Sequence, residues 1–304
     1  MSQHYPRIRF QDSHGTLVIR DGLRLCFYMR RPSREVAQAV AYVLETYLRA
    51  VGPETMDWYL DVEGYWQPLS PQSWETNRRH LLEATYPRVA LTDDPSRASA
   101  FRFEYYGDGP DDAYKDTDPN MVSAVGFWLP TEFLEEHGPS RLRELALELA
   151  NPLPFNSGHA GLCFNGISGY HETEKELSRL CLRYPGMDML ELEGLSSRIG
   201  TRVKGPAWMT FLGQPVLGEL GGVEGLRARL SSPGTTVQLL EGDRAVITLG
   251  PWPEAGDTQA GHHLPEYREL ARVLEPSLYH SSGSYYFPKD IWQRWERRFL
   301  DDAP

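Results

Sequence analysis

The chain has 304 residues, 40% hydrophobic and 24% charged, with a formal net charge of -11. Such a chain can bury a sizeable core without cross-links, and its acidity argues against a surface built to hold nucleic acid directly. No apolar run approaches the ~18 residues of a membrane span, the first ten residues lack a secretory core, and three cysteines cannot close a disulfide framework. These features predict a reducing, cytoplasmic setting with Cys26, Cys163 and Cys181 as buried thiols.

In chain order, Thr16–Arg20 and Leu23–Met29 flank Asp21-Gly22 and predict a tight β-hairpin. Pro32-Ser33 opens a helix in which Val36, Val40, Val43, Leu44, Tyr47, Leu48 and Val51 recur at helical spacing, and Gly52-Pro53 ends it. Ser70-Pro71 starts a second helix with Trp74, Leu81 and Leu82 inward. Alternation over 100–106 suits a strand with one wet face, while the nearly continuous apolar run of 121–129 suits a sheet centre. A turn over 131–137 leads to a helix over 140–150, striped by Leu142, Leu145, Ala146 and Leu149. His159–Asn165 returns as a strand.

The second half is expected to hold a helix over 172–184, with Leu177, Leu180 and Cys181 buried. A short strand over 207–212 and a short helix over 223–230 follow. Thr235–Leu240 and Arg244–Leu249 form a second hairpin around Gly242-Asp243. Two helices close the chain, 265–274 and 288–300, the latter with Ile291, Trp292, Trp295 and Phe299 on one face. Hairpins mixed with helices, without regular alternation, predict an α+β fold: a mixed, mostly antiparallel sheet with packed amphipathic helices. We expect residues 1–304 to form a single domain, with a two-lobed division near 151–205 as the alternative. The stretches 107–120 and 185–205 read as surface loops.

Motifs for chemistry are incomplete. His171-Glu-Thr-Glu-Lys175 lacks the second histidine of a zinc-protease helix, and the adjacent His262-His263 pair has no acid or cysteine at useful spacing. His159 near Ser157 and Cys163 lacks a nucleophile elbow and an evident orienting carboxylate, so a buried histidine is the plainer reading. No catalytic residue, metal or cofactor is therefore expected. What stands out is the acidic segment from Glu104 to Asp118. Its Glu104, Tyr105, Tyr106, Asp108, Asp111, Asp112, Asp116 and Asp118 combine carboxylates that would steer a basic partner with tyrosines that supply contact area. A solvated loop between strands is the alternative.

Three further stretches carry a resemblance. Pro152–Asn165, Pro206–Leu212 within 205–213, and the carboxyl region 267–276 with Trp292–Phe299 are together similar to the type VI secretion immunity proteins of the TsiV type. The resemblance implies an immunity protein without a catalytic centre, encoded beside an effector toxin, often a nuclease, which it binds and neutralises in the producing bacterium. A hydrolytic enzyme centred on His159 and an effector adaptor or chaperone are the alternatives. The sequence supplies no family site residue to carry over.

Overall fold

The computed structural model describes residues 4–108, 120–167, 171–189, 191–281, 283 and 287–301. The first half runs β1 (Arg9–Gln11), β2 (Leu17–Met29), α1 (Ser33–Val51), β3 (Trp58–Leu60), β4 (Trp66–Pro68), α2 (Pro71–Glu83), β5 (Arg88–Thr92), β6 (Arg102–Tyr106), β7 (Ser123–Pro130) and α3 (Thr131–Ala150). The second half runs β8 (Ser157–Gly166), α4 (His171–Leu180), α5 (Leu192–Ser196), β9 (Met209–Leu212), α6 (Val216–Glu219), α7 (Gly222–Arg229), β10 (Thr235–Leu240), β11 (Arg244–Leu249), α8 (Pro265–Leu274) and α9 (Lys289–Glu296). Among the described residues the strands form one 11-stranded antiparallel sheet, in the order β10-β11-β9-β8-β2-β7-β6-β5-β3-β4, with β1 on β2. The α+β class expected from the sequence is the class observed.

Alternation on the central strands decides what lies on each face. Leu23, Leu25, Phe27 and Met29 of β2 and Val125, Phe127 and Leu129 of β7 join the main core, together with Val36, Val40, Val43, Leu44 and Tyr47 of α1 and Leu142, Leu145, Ala146 and Leu149 of α3. The Tyr47 hydroxyl, buried with the rest, donates to the Trp128 carbonyl at 2.5 Å and so finds a partner without reaching water. On the opposite face Cys26, Tyr28 and Ala124 lie under Leu192, Leu195 and Ile199. Further along, Leu212, Ala245, Ile247 and Leu249 are covered by α6, α7, α8 and Phe299.

The structure corrects several expectations. The first hairpin does not form, and β2 is one uninterrupted strand that pairs with β7 on one edge and β8 on the other. Asp21 is buried, its carboxylate taking the Ile8 N–H at 2.7 Å and the Thr131 hydroxyl at 2.5 Å. Gly22 is needed for space and not for a turn, because a Cβ there would collide with the Asn165 amide. The face of β6 expected to be wet holds a buried Glu104. Residues 185–205 are no loose loop, since they include α5 and cover the sheet. The 131–137 turn is helical, joined to the next helix across Gly138 at φ 76° and Pro139. Helix α4 stops at Leu180 and α9 at Glu296, each four residues early. The second hairpin forms as expected, with Gly242 at φ 71° and Asp243 at φ 52°.

Candidate functional site

Two regions carry the residues singled out in the sequence. Strand β8 presents His159, Gly161, Cys163 and Asn165 on one face, because successive side chains alternate. β9 pairs with β8 only from Ser157 to Ala160, which leaves the rest of that edge open. The segment around Asp188 takes it: the Asp188 N–H donates to the Leu162 carbonyl at 2.9 Å and the Phe164 N–H to the Asp188 carbonyl at 3.0 Å. On its other side the segment packs against residues 254–255, which Gly186 permits, since a Cβ would strike the Glu254 carbonyl.

This docking brings a carboxylate to His159 that the sequence did not reveal. The Lys204 ammonium ion-pairs with the Asp188 carboxylate and lies 3.3 Å from the Met189 carbonyl. Nε2 of His159 stands 3.4 Å from Oδ2 of Asp188, and neither atom has a hydrogen bond from the protein. The His159 ring is buried and stacks on Tyr28 with centroids 6.0 Å apart. Arg298 donates to the Pro185 carbonyl at 2.8 Å and lies 4.0 Å above the Trp295 ring.

Charge in this cluster is set by opposing influences. Burial pushes the Asp188 carboxyl up, but Lys204, His159 and Arg298 together outweigh it and hold the group well below the usual carboxylate range. Burial also lowers the Lys204 ammonium, against the pull of Asp188; the ionised pair rests on the Asp188 shift. Burial lowers His159 despite Asp188, which favours the neutral imidazole. Burial brings Arg298 down to about 10.

Cys163 shares the His159 face, so the strand does align the two residues. Its thiol contacts Oδ1 of Asn165 at 3.0 Å, and burial pushes it up to about 12. A thiol held protonated in this way is a poor nucleophile. A cavity of about 20 Å³ walled by Arg24, His159, Asp188 and Lys204 has room for roughly one water. A larger one of about 230 Å³ lies beyond Lys204 and Arg298, against Trp292 and Trp295. Among the described residues no group of three or more His, Cys, Asp or Glu side chains is placed to hold a metal ion. His262 is exposed in a loop, backbone-paired with Asp257.

The acidic segment begins at a well-anchored point. Glu104 is buried and ion-pairs with Arg102 at 2.8 Å. Tyr105 is buried with its hydroxyl 3.1 Å from Ser33 Oγ. Tyr106 is half-buried, with Arg88 5.7 Å from its ring centre. Asp108 is buried; its N–H donates to Ser123 Oγ at 3.0 Å and its carbonyl accepts from the Ser33 N–H at 2.7 Å. Asp111, Asp112, Asp116 and Asp118 lie outside the described residues.

The fold and site therefore define an α+β protein that holds, against β8, a partly buried charge pair beside a neutral histidine. A profile of the family described as TsiV, type VI immunity for VRR-NUC, matches residues 39–299. The chain belongs to this family, and its role is immunity against a cognate type VI effector. The fold is shared with the Pseudomonas aeruginosa T6SS protein PA0821, at a TM-score of 0.78 and 20% identity, over 94% of this chain and 86% of that one. No curated protein sequence matches the chain. Among the described residues no helix is long and apolar enough to cross a membrane.

Proposed function

We propose that this chain neutralises a VRR-NUC nuclease effector by binding it directly in the cytoplasm of the producing cell, without catalysis and without contacting nucleic acid itself. The family match over residues 39–299 carries this reading. The protonated Cys163 and neutral, enclosed His159 support a structural role for the β8 cluster over a hydrolytic one. We also take residues 1–304 as one folding unit, supported by a single sheet in which the strands of the second half join those of the first through the β8–β2 pairing.

The partner is expected to be basic where it faces phosphate, and the net charge of -11 would draw the two together. In this reading the segment from Glu104 to Asp118 steers the encounter. Glu104, Tyr105 and Asp108 fix its base, Tyr106 lies at the margin, and Asp111, Asp112, Asp116 and Asp118 supply the charge.

Titration of the VRR-NUC protein encoded beside this chain's gene distinguishes binding from catalysis. Direct binding requires nuclease activity to fall to zero at a fixed stoichiometric ratio. Complete loss at a small fraction of one equivalent, with a changed effector mass, would overturn the binding reading. Replacing Asp111, Asp112, Asp116 and Asp118 by Asn should slow association at low salt and flatten its salt dependence. An unchanged on-rate would remove that segment from the encounter.

A further inference from the structure

Six large apolar side chains are exposed among the described residues, and four of them, Val62, Tyr65, Tyr86 and, least exposed, Met121, belong to one end of the sheet. Strand register puts them there. β3 runs into the turn that holds Val62 on the side where β5 begins, just after Tyr86. β7 begins just after Met121, beside the end of β6 at Tyr106. Scattered single apolar residues are ordinary on a protein surface, whereas several gathered at one end mark a contact region.

The turn between β3 and β4 presents two of these side chains on a closely hydrogen-bonded backbone. Asp61 accepts the Glu63 N–H at 3.0 Å, the Tyr65 N–H at 2.8 Å and the Gln67 amide at 3.0 Å. Its own N–H donates to the Tyr65 carbonyl at 2.9 Å, and the Gly64 N–H closes the turn on the Asp61 carbonyl at 3.1 Å. Val62 is left 90% exposed and Tyr65 65% exposed. A backbone fixed before contact has little freedom left to lose on binding, which is how a small turn becomes an anchor.

Charge selects the partner. From residue 50 to residue 77 the chain carries five carboxylates, at Glu54, Asp57, Asp61, Glu63 and Glu75, and no lysine or arginine. A second copy of this chain would set Asp61 and Glu63 against their equals, and like charges at close range cost binding. A basic surface would not.

We infer that the β3–β4 turn, with Tyr86 beside it and Met121 further along the same end of the sheet, is the apolar centre of the surface that docks the effector. Val62 and Tyr65 enter a shallow apolar pocket on a basic face of that protein, and Glu63 lies at the rim. The inference rests on the direct-binding reading above and names where that binding is anchored, at a turn 40 or so residues before the acidic segment.

The test uses the full chain and a catalytically inactive form of the VRR-NUC protein encoded beside its gene. Val62 and Tyr65 contribute little to the fold, so the double variant Val62→Ser, Tyr65→Ser should keep the parent melting temperature while its Kd rises at least tenfold. Leu239→Ser, 61% exposed on β10 at the other edge of the sheet, should change Kd less than twofold. With a photoreactive benzoylphenylalanine at position 62, irradiation of the complex should join the two chains. An unchanged Kd in the double variant, with parental binding intact, overturns the docking surface and leaves direct binding standing. Cross-linking at position 62 to a second copy of this chain also overturns it, by assigning the turn to self-association. Failure of the unaltered chain to bind removes the direct-binding reading and this inference with it.

Discussion

Lys204 and Asp188 form an ion pair inside the protein, with the ammonium 4.9 Å from the centre of the Trp295 ring. Two charges that have lost most of their water depend on one another, so removing one partner strands the other. Lys204→Met should therefore cost about 3–5 kcal/mol, read from the shift of the urea midpoint. The double variant Lys204→Met, Asp188→Asn should lose less than the sum of its two single changes. Strict additivity would mean that the two groups do not interact.

The close fit of Gly22 against Asn165 makes a second prediction. Gly22 sits mid-strand with ordinary extended geometry, so the usual argument for replacing glycine by alanine would expect a gain. Here the added methyl meets the Asn165 amide, and Gly22→Ala should destabilise by about 1–3 kcal/mol. The companion change Asn165→Ala in the same chain should recover part of that loss. A neutral or stabilising single variant would show that the β2–β8 contact yields easily.

The carboxyl-terminal segment should prove inseparable from the rest. Trp295 belongs to the main core and Phe299 to the cluster beneath β9 and β11, so one short segment seals two clusters. Trp295→Ala should cost about 3–5 kcal/mol. Deletion from Pro288 onward should leave a chain that is insoluble or lacks a cooperative melt. A truncated chain that melts at the parent temperature would mean these aromatics contribute no net burial.

Acid stability should depend on Glu269. Burial alone would raise its carboxyl, but hydrogen bonds from the Ser231 N–H and hydroxyl and the Ser232 N–H bring it down from 4.5 to about 2. A carboxyl lowered in the folded state gives its stability in full above the unfolded value. That stability is lost as pH falls from about 4.5 toward about 2, because the unfolded chain then binds the extra proton. Glu269→Gln should consequently narrow the difference between urea midpoints measured at pH 6 and pH 3. An unaltered difference would assign the acid sensitivity of this region elsewhere.

Helices whose apolar residues recur at fixed spacing are legible in the amino-acid sequence, as α1, the later part of α3 and α8 show. The sheet is less so. Asp21-Gly22 carries every local mark of a turn, yet the partners that hold Asp21 in a strand include Thr131, 110 positions away. Nothing near Asp21 in sequence announces that hydroxyl. The His159 cluster is half legible for the same reason. His159 can be placed on a strand and expected to be buried, but its carboxylate neighbour arrives from a segment with no periodicity to flag it. Gly186-Met-Asp-Met189 offers only a faint signal, a lone acid between apolar residues, which in a folded chain needs a cation. Lys204, beside the apolar Val203, is that cation.

The place of β2 between β7 and β8 has a consequence for how the chain is made. This longest of the described strands is synthesised before β7 and β8, so its edges must wait for partners made on the order of a hundred residues later, ten seconds or so at common rates of translation. Until β7 is made, β1 covers only the start of this apolar strand, and the edge that β8 takes stays open longer still. The nascent chain must be shielded until Gly166 has emerged, and a cell that makes such a protein afresh gains no protection from it during that delay. Immunity of this kind is safest when the folded protein is already in stock before the effector arrives.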